Sequence, residues 1–408
     1  MIDNPRATDR YDLLSPEFLA DPYPLYARLR ADDPVHWSKT QGYWFVSRYE
    51  DVHATARDPR FSSNSLDTFM NRLPAETHTE FAPLRALLAD RMLLTDPPRH
   101  NRLRGLVHKA FTPRRVELLR TTVQTVLDEL LERVQQGGSF DVIHDVADPL
   151  PSRMITMMLG IPAEDRDRFK SWTDAIYLFM GLSGVSILDR ARVATSAVGE
   201  LTDYLPREIA VVRRSPRDDL FSDLVAAEEQ GDTLTEAEMI SNVVGILNAG
   251  HETTTNLIGN GVLTLLQNSG SWELLRDDPA LIPLAVEEIL RYESPIQMIS
   301  RLTAENVEVR GVTIGQGQPV ALILGSANRD PEQFPDADRF DIRRPDNRHV
   351  AFGHGPHFCI GGALARVVGQ VVFGTLPLRF PGLRLATDRH EWRPYPLFRG
   401  LRRLPVVF

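Results

Sequence analysis

The stretch Phe352-Gly-His-Gly-Pro-His-Phe-Cys-Ile-Gly-Gly362 holds the only cysteine of the 408-residue chain. A single cysteine cannot close an internal disulfide, and without a CxxC pair it cannot build a zinc site. Gly353, Gly355, Gly361 and Gly362, with Gly369 just downstream, crowd the thiol, and His354 and His357 flank it. So many glycines mean that backbone must approach something closely. The residues after Cys359, IGGALARVVGQVVFGTL, carry a helical apolar pattern, which puts the thiol at or just before a helix N-terminus. Free N–H groups and the helix dipole there favour a thiolate, the form of cysteine that binds metal. A buried structural cysteine is the competing reading, and the glycine framing and neighbouring histidines argue against it.

The order F-G-x-G-x-H-x-C-x-G, filled by Phe352, Gly353, Gly355, His357, Cys359 and Gly361, resembles the heme-binding loop of the cytochrome P450 family. The resemblance implies heme b as cofactor, with Cys359 as axial iron ligand, Phe352 packed beside the sulfur and His357 reaching a propionate. A thiolate ligand pushes electron density onto iron and favours O–O cleavage.

A second motif lies in the periodic stretch from about 235 to 268. Its middle, Ala249-Gly-His-Glu-Thr-Thr-Thr255, is a polar island between VVGIL and NLIG. Gly250 is costly inside a helix, by roughly 1 kcal/mol relative to Ala, and thins it where a ligand could press. Thr253 is placed to bond back to the carbonyl of Ala249. A zinc-protease HExxH is excluded, because Thr255 stands where the second histidine belongs. A mere surface cluster sits badly between apolar flanks. The island resembles the family's oxygen-activation motif, which implies that Glu252 relays protons and Thr253 is the alcohol beside bound dioxygen, with Ala249 and Gly250 against the cofactor.

Further elements follow in the family's order. Glu288 and Arg291 in EEILRYESP lie one helical turn apart; alone such a pair is usually solvated. By the resemblance they form a buried structural cluster that Arg339 of DADRFD completes. His100 and Arg104, spaced i and i+4, match the family's propionate clamp, and Arg301 matches a third contact. Buried propionates require such cationic partners.

Composition fits this reading. Lysine and arginine number 46 against 55 aspartates and glutamates, a formal charge of −9, which argues against nucleic acid as partner. The N-terminal MIDNPRATDRYDLLSP has no apolar h-region and the chain has no run near the ~18 residues of a membrane span, so a cytoplasmic protein without membrane anchor is expected. The 29 prolines are dispersed, with no linker or repeat, so residues 1–408 are expected to form one domain. The fold expected is mainly α with small β-sheets: YWFVSR and ENVEVRGVTIGQGQPVALIL read as strand and hairpin, VELLRTTVQTVLDELLERVQQGG as a helix closed by glycines. The resemblance makes it the cytochrome P450 fold, an α-rich lobe and a smaller β-rich region around a buried heme.

The function so implied is monooxygenation, hydroxylation or epoxidation of a hydrophobic small molecule by dioxygen, in the manner of bacterial members that tailor natural products such as antibiotics. Oxidative coupling or desaturation is the alternative on the same scaffold, and a heme-thiolate gas or redox sensor the alternative of another class. Electrons are expected from a separate ferredoxin or flavodoxin with an NAD(P)H reductase. The stretch 97–116 has six Arg or Lys and no acid, and Arg102, Lys109, Arg114 and Arg115 are candidate docking charges, with a solvated basic helix as the bland reading. Candidate pocket residues, by family position, are Leu93, Leu94, Phe179, Met180, Val243, Leu247, Met298, Ile299, Leu397 and Phe398. Ordinary core is the competing reading for each.

Overall fold

A computed structural model describes residues 10–109, 111, 113–180, 185–229 and 234–408. Its axis is the helix Glu236–Gln267, begun by a capping box in which Thr235 accepts from the Glu238 N–H and the Glu238 side chain accepts from the Thr235 N–H. Most of its residues are buried on every face, so it runs through the core. Helices Pro149–Met158, Arg166–Met180, Ile282–Tyr292 and Gly362–Arg379 pack around it. One apolar cluster joins its first half to Arg166–Met180 and Ile187–Arg214. A second joins its later half to Pro113–Val134, Ile282–Tyr292 and Gly362–Arg379.

The β-rich region is a five-stranded sheet in the spatial order Val35–Ser38, Tyr43–Val46, Pro319–Leu322, Ile299–Thr303, Phe61–Ser62. Tyr43–Val46 pairs in parallel with Pro319–Leu322, and the other pairs are antiparallel. Beside it Val307–Val309 and Val312–Ile314 form the expected hairpin, turned by Arg310 and Gly311 at φ 50° and 77°, the two left-handed residues of a tight primed turn. Helix Pro113–Val134 gives way to turn residues before Gly138, at φ 66°. No helix among the described residues is long and apolar enough to cross a membrane.

Candidate active site

The loop around Cys359 is held by its own backbone. The Cys359 N–H donates to the Phe352 carbonyl at 2.9 Å, and that of Phe358 to Gly355 at 3.0 Å. Gly355 sits at φ 77°, and a Cβ there would stand 2.7 Å from the Ala56 carbonyl; only glycine meets both demands. Helix Gly362–Arg379 starts at the N-cap Gly361; the Gly362 N–H donates to the Cys359 carbonyl at 3.3 Å, and the N–H groups of Gly361 and Gly362 lie near enough to the thiol to favour its anion. The thiol is solvent-accessible, yet protein surrounds it closely. Burial pushes its pKa up, while the two N–H groups and the guanidiniums of Arg104 and Arg366 pull it down without cancelling the rise. The expected lowering by the helix N-terminus is therefore outweighed by desolvation; a coordinated metal reverses this, since a coordinating thiol is deprotonated outright.

On the central helix, Ala249 is exposed and Glu252 and Thr253 are half-buried, while most residues around them are buried. At i, i+3 and i+4 these share one face, so the helix opens along one wall. Thr253 Oγ1 donates to the Ala249 carbonyl at 2.7 Å. Glu252 holds an ion pair with Arg393, whose Nη1 lies 3.0 Å from each carboxylate oxygen. Beside it His251 Nε2 lies 3.2 Å from Asp148. Gly250 plays a different part from the one expected: Ile155 occupies the space its side chain would take, at 3.1 Å, so this glycine admits a neighbouring helix.

His100, Arg104, Arg301 and His357 converge. The His100 and His357 rings are 3.9 Å apart, and Arg104 Nη2 donates to the Phe358 carbonyl at 2.7 Å. Burial, then the charges of His100, Arg301 and Arg104, press the His357 pKa down to about 3. Burial brings Arg301 down to about 10 despite the charge of Asp96, a carboxylate held by the Ser63 N–H at 2.8 Å and the Ser62 hydroxyl. Four bases thus crowd one place, and the two arginines disfavour charge on both histidines.

The Glu288–Arg291 pair is fully buried, with contacts of 2.8 Å at both oxygens. Its completing arginine is Arg344, not Arg339. Arg344 Nε lies 3.2 Å from Glu288 Oε2 with its side chain 10% exposed, whereas the Arg339 side chain is 69% exposed and reaches Asp341 at 3.7 Å. Arg339 contributes only its carbonyl, to Arg291 and Arg344. Asn347 and the Asp341 N–H complete the carboxylate's partners. Substituting Arg344 by Ala is expected to lower unfolding free energy by about 2–4 kcal/mol, and Arg339 by Ala by under about 0.5 kcal/mol, as measured by denaturant titration.

The pocket candidates separate. Ile296 bridges to Phe398, and the Gln297 N–H donates to the Leu397 carbonyl, which brings Met298, Ile299, Leu397 and Phe398 together. Leu94 is core and Leu93 is 53% exposed. Met180 is half-buried, its sulfur 3.5 Å from Arg91 Nη1. Phe179 and Val243 are each only 1% exposed and Leu247 4%, all three in the first core cluster. At 100° per residue, Val243 and Leu247 point some 200–240° away from Ala249; they form the back of the helix, and Gly245 stands on the open side instead. A recess of about 410 Å³ bounded by Thr122, Arg153, Met157 and Arg166 includes none of these groups.

The basic stretch is largely neutralised by acids from distant segments. Arg102 meets Glu238 at 2.6 Å, and Arg115 meets Asp218 at 3.0 Å and Asp223 at 2.9 Å. Lys109 is exposed, and the side chain of Arg114 lies outside the described residues.

An accessible thiol cradled by amides, a helix wall bearing an acid and an alcohol, and a knot of bases suited to anions define a redox enzyme built around a large anionic cofactor. The sequence profile described as Cytochrome P450 matches residues 75–278 and 275–381. The chain is 44% identical over 399 residues to cytochrome P450 107B1 of Saccharopolyspora erythraea, covering 95% of each protein. It is 39% identical to the mycinamicin IV hydroxylase/epoxidase of Micromonospora griseorubida, over 94% of each. Among solved structures it resembles P450BioI, crystallised in complex with an acyl carrier protein ligated to hexadec-9Z-enoic acid, with TM-score 0.89, 40% identity and coverage of 97% of this chain and 100% of that one. The chain belongs to the cytochrome P450 family of monooxygenases, whose cofactor is heme b. The donor set fits that group: one thiol that would ligate iron, and a cluster of four bases, His100 and Arg301 buried and Arg104 and His357 half-buried, that two propionates would neutralise.

Proposed function

We propose that this enzyme inserts one oxygen atom of dioxygen into a hydrophobic small molecule, by hydroxylation or epoxidation, as a tailoring step on a natural product. Cys359 is the axial ligand, His100, Arg104, Arg301 and His357 hold the propionates, and Phe352 and Gly361 shape the ligand loop. Bound there, heme supplies the dioxygen-binding and oxidising chemistry. The other oxygen atom leaves as water, with two electrons and two protons. The observation that carries the reading is the open face of the central helix at Ala249, where an adjacent carboxylate and hydroxyl, Glu252 and Thr253, are less buried than the residues around them.

Each residue there has a definable task. Thr253 Oγ1, donating to the Ala249 carbonyl, keeps both lone pairs directed outward to accept a proton-bearing partner. Glu252 receives protons at its carboxylate, and Arg393 fixes that carboxylate's orientation. Ile299 and Leu397, half-buried where their segments meet, offer apolar surface to a hydrophobic substrate. That the relatives include a mycinamicin IV hydroxylase/epoxidase by name and a structure with an acyl chain on a carrier protein supports a hydrophobic acyl-derived substrate. We place the enzyme in the cytoplasm as a single heme domain spanning 1–408, fed by a separate ferredoxin or flavodoxin and an NAD(P)H reductase.

The test is reconstitution with such carriers, NAD(P)H and a panel of apolar substrates under isotopically labelled dioxygen. One labelled oxygen in the product supports the reading; a desaturated or coupled product without label sinks it. In the same assay Thr253→Ala is expected to lower product formed per NAD(P)H by about tenfold, the worth of one hydrogen bond of ~1.4 kcal/mol, with peroxide released. Unchanged coupling removes Thr253 from its role.

A further inference from the structure

Behind the thiol loop lies a group of charges that the proposed chemistry does not use. Arg366, on the first turn of helix Gly362–Arg379, stacks its guanidinium 4.5 Å from the centre of the Phe352 ring. Its Nη1 lies 3.4 Å from the carbonyl of Gly362, and its charge favours the Cys359 thiolate. Its other edge makes a two-point ion pair with Glu287, Nε to Oε1 at 2.7 Å and Nη2 to Oε2 at 2.8 Å. Glu287 is in turn held by His349 Nε2 at 3.2 Å. His349 Nδ1 accepts the Ala351 N–H at 3.2 Å, which leaves Nε2 to donate to the carboxylate. Although burial pushes the Glu287 pKa up, the bonds from His349 and Arg366 bring it down to about 2, so the carboxylate stays charged.

The order outward from the thiol loop is therefore cation, anion, imidazole donor. We propose that Arg366, acting beside Arg104, tunes the electron affinity of the centre at Cys359, and that Glu287 is its counterweight. The proposal rests on the reading of Cys359 as heme ligand. A cation near the ligand stabilises the electron-richer ferrous state and an anion disfavours it. Both are positioning residues: Arg366 acts across the Phe352 ring, and Glu287 acts through its ion pair with Arg366. Arg366 is a third exposed, so its influence falls as ionic strength rises.

The experiment is spectroelectrochemical titration of the ferric/ferrous couple in the holoenzyme. Arg366→Gln is expected to lower the midpoint potential and Glu287→Gln to raise it. The ferric/ferrous ratio at fixed potential should change by about threefold to tenfold in each, tenfold being ~59 mV for one electron. Arg366→Lys, which keeps the charge and loses the fork, is expected to stay near wild type. Should Arg366→Gln fail to retain heme, Glu287→Gln against Arg366→Lys still decides. Shifts of the same sign in the two neutralising variants, or no shift in Glu287→Gln, overturn the proposal while a red-shifted carbon monoxide band leaves the ligand reading standing. Absence of that band in the unaltered protein overturns the ligand reading first.

Discussion

Replacing Cys359 by serine removes the red-shifted carbon monoxide band and abolishes monooxygenase turnover. The chain has no second thiol, so no other side chain can take over a thiolate's role. A serine hydroxyl is of similar size and can accept from the Gly361 and Gly362 amides, so the loop keeps its shape; what disappears is a soft, electron-rich ligand. The loss in turnover is expected to exceed the roughly 10–100-fold typical of changing an outer partner of a metal ligand. Heme affinity falls less, since His100, Arg104, Arg301 and His357 still hold the propionates. Absorbance spectra and turnover of Cys359→Ser measured side by side check this. Persistence of the thiolate-type band would place the ligand elsewhere.

The second large effect is on folding. Glu288→Ala is expected to lower unfolding free energy by about 3–5 kcal/mol, because it strands two arginines among apolar groups. Arg291 is fully buried and is satisfied by Glu288 and by the carbonyls of Asn328, Ala337 and Arg339. With the carboxylate gone those carbonyls remain, but no anion balances the two guanidiniums. A denaturant titration of the heme-bound protein reads the loss. A change under about 1 kcal/mol would mean that water or another group reaches the cluster. The cluster ties helix Ile282–Tyr292 to the segment leading into the thiol loop, so heme retention should weaken with it.

Much of this was legible in the chain because local rules wrote it. The glycine spacing around Cys359, the apolar flanks of AGHETTT and the Arg310–Gly311 turn each follow from backbone conformations that few other residues adopt. The open side of the central helix was legible too: counting 100° per residue from Ala249 excludes Val243 and Leu247, whereas assigning them by family position put them on the wrong face. What stayed hidden depends on chain return. Nothing in DADRFDIRR separates Arg339 from Arg344; Arg344 is the one held inward, by the carbonyls of Pro335, Asp336 and Arg339. Arg393 lies 141 residues beyond Glu252, and no local pattern joins them. The basic stretch looked like a free patch because Glu238, Asp218 and Asp223, which neutralise it, are remote in sequence.

The most direct test is the difference spectrum of the dithionite-reduced, heme-bound protein with and without carbon monoxide. A Soret band shifted far to the red is the result expected for cysteinate-ligated heme at Cys359. A histidine-type band would contradict the account at its centre.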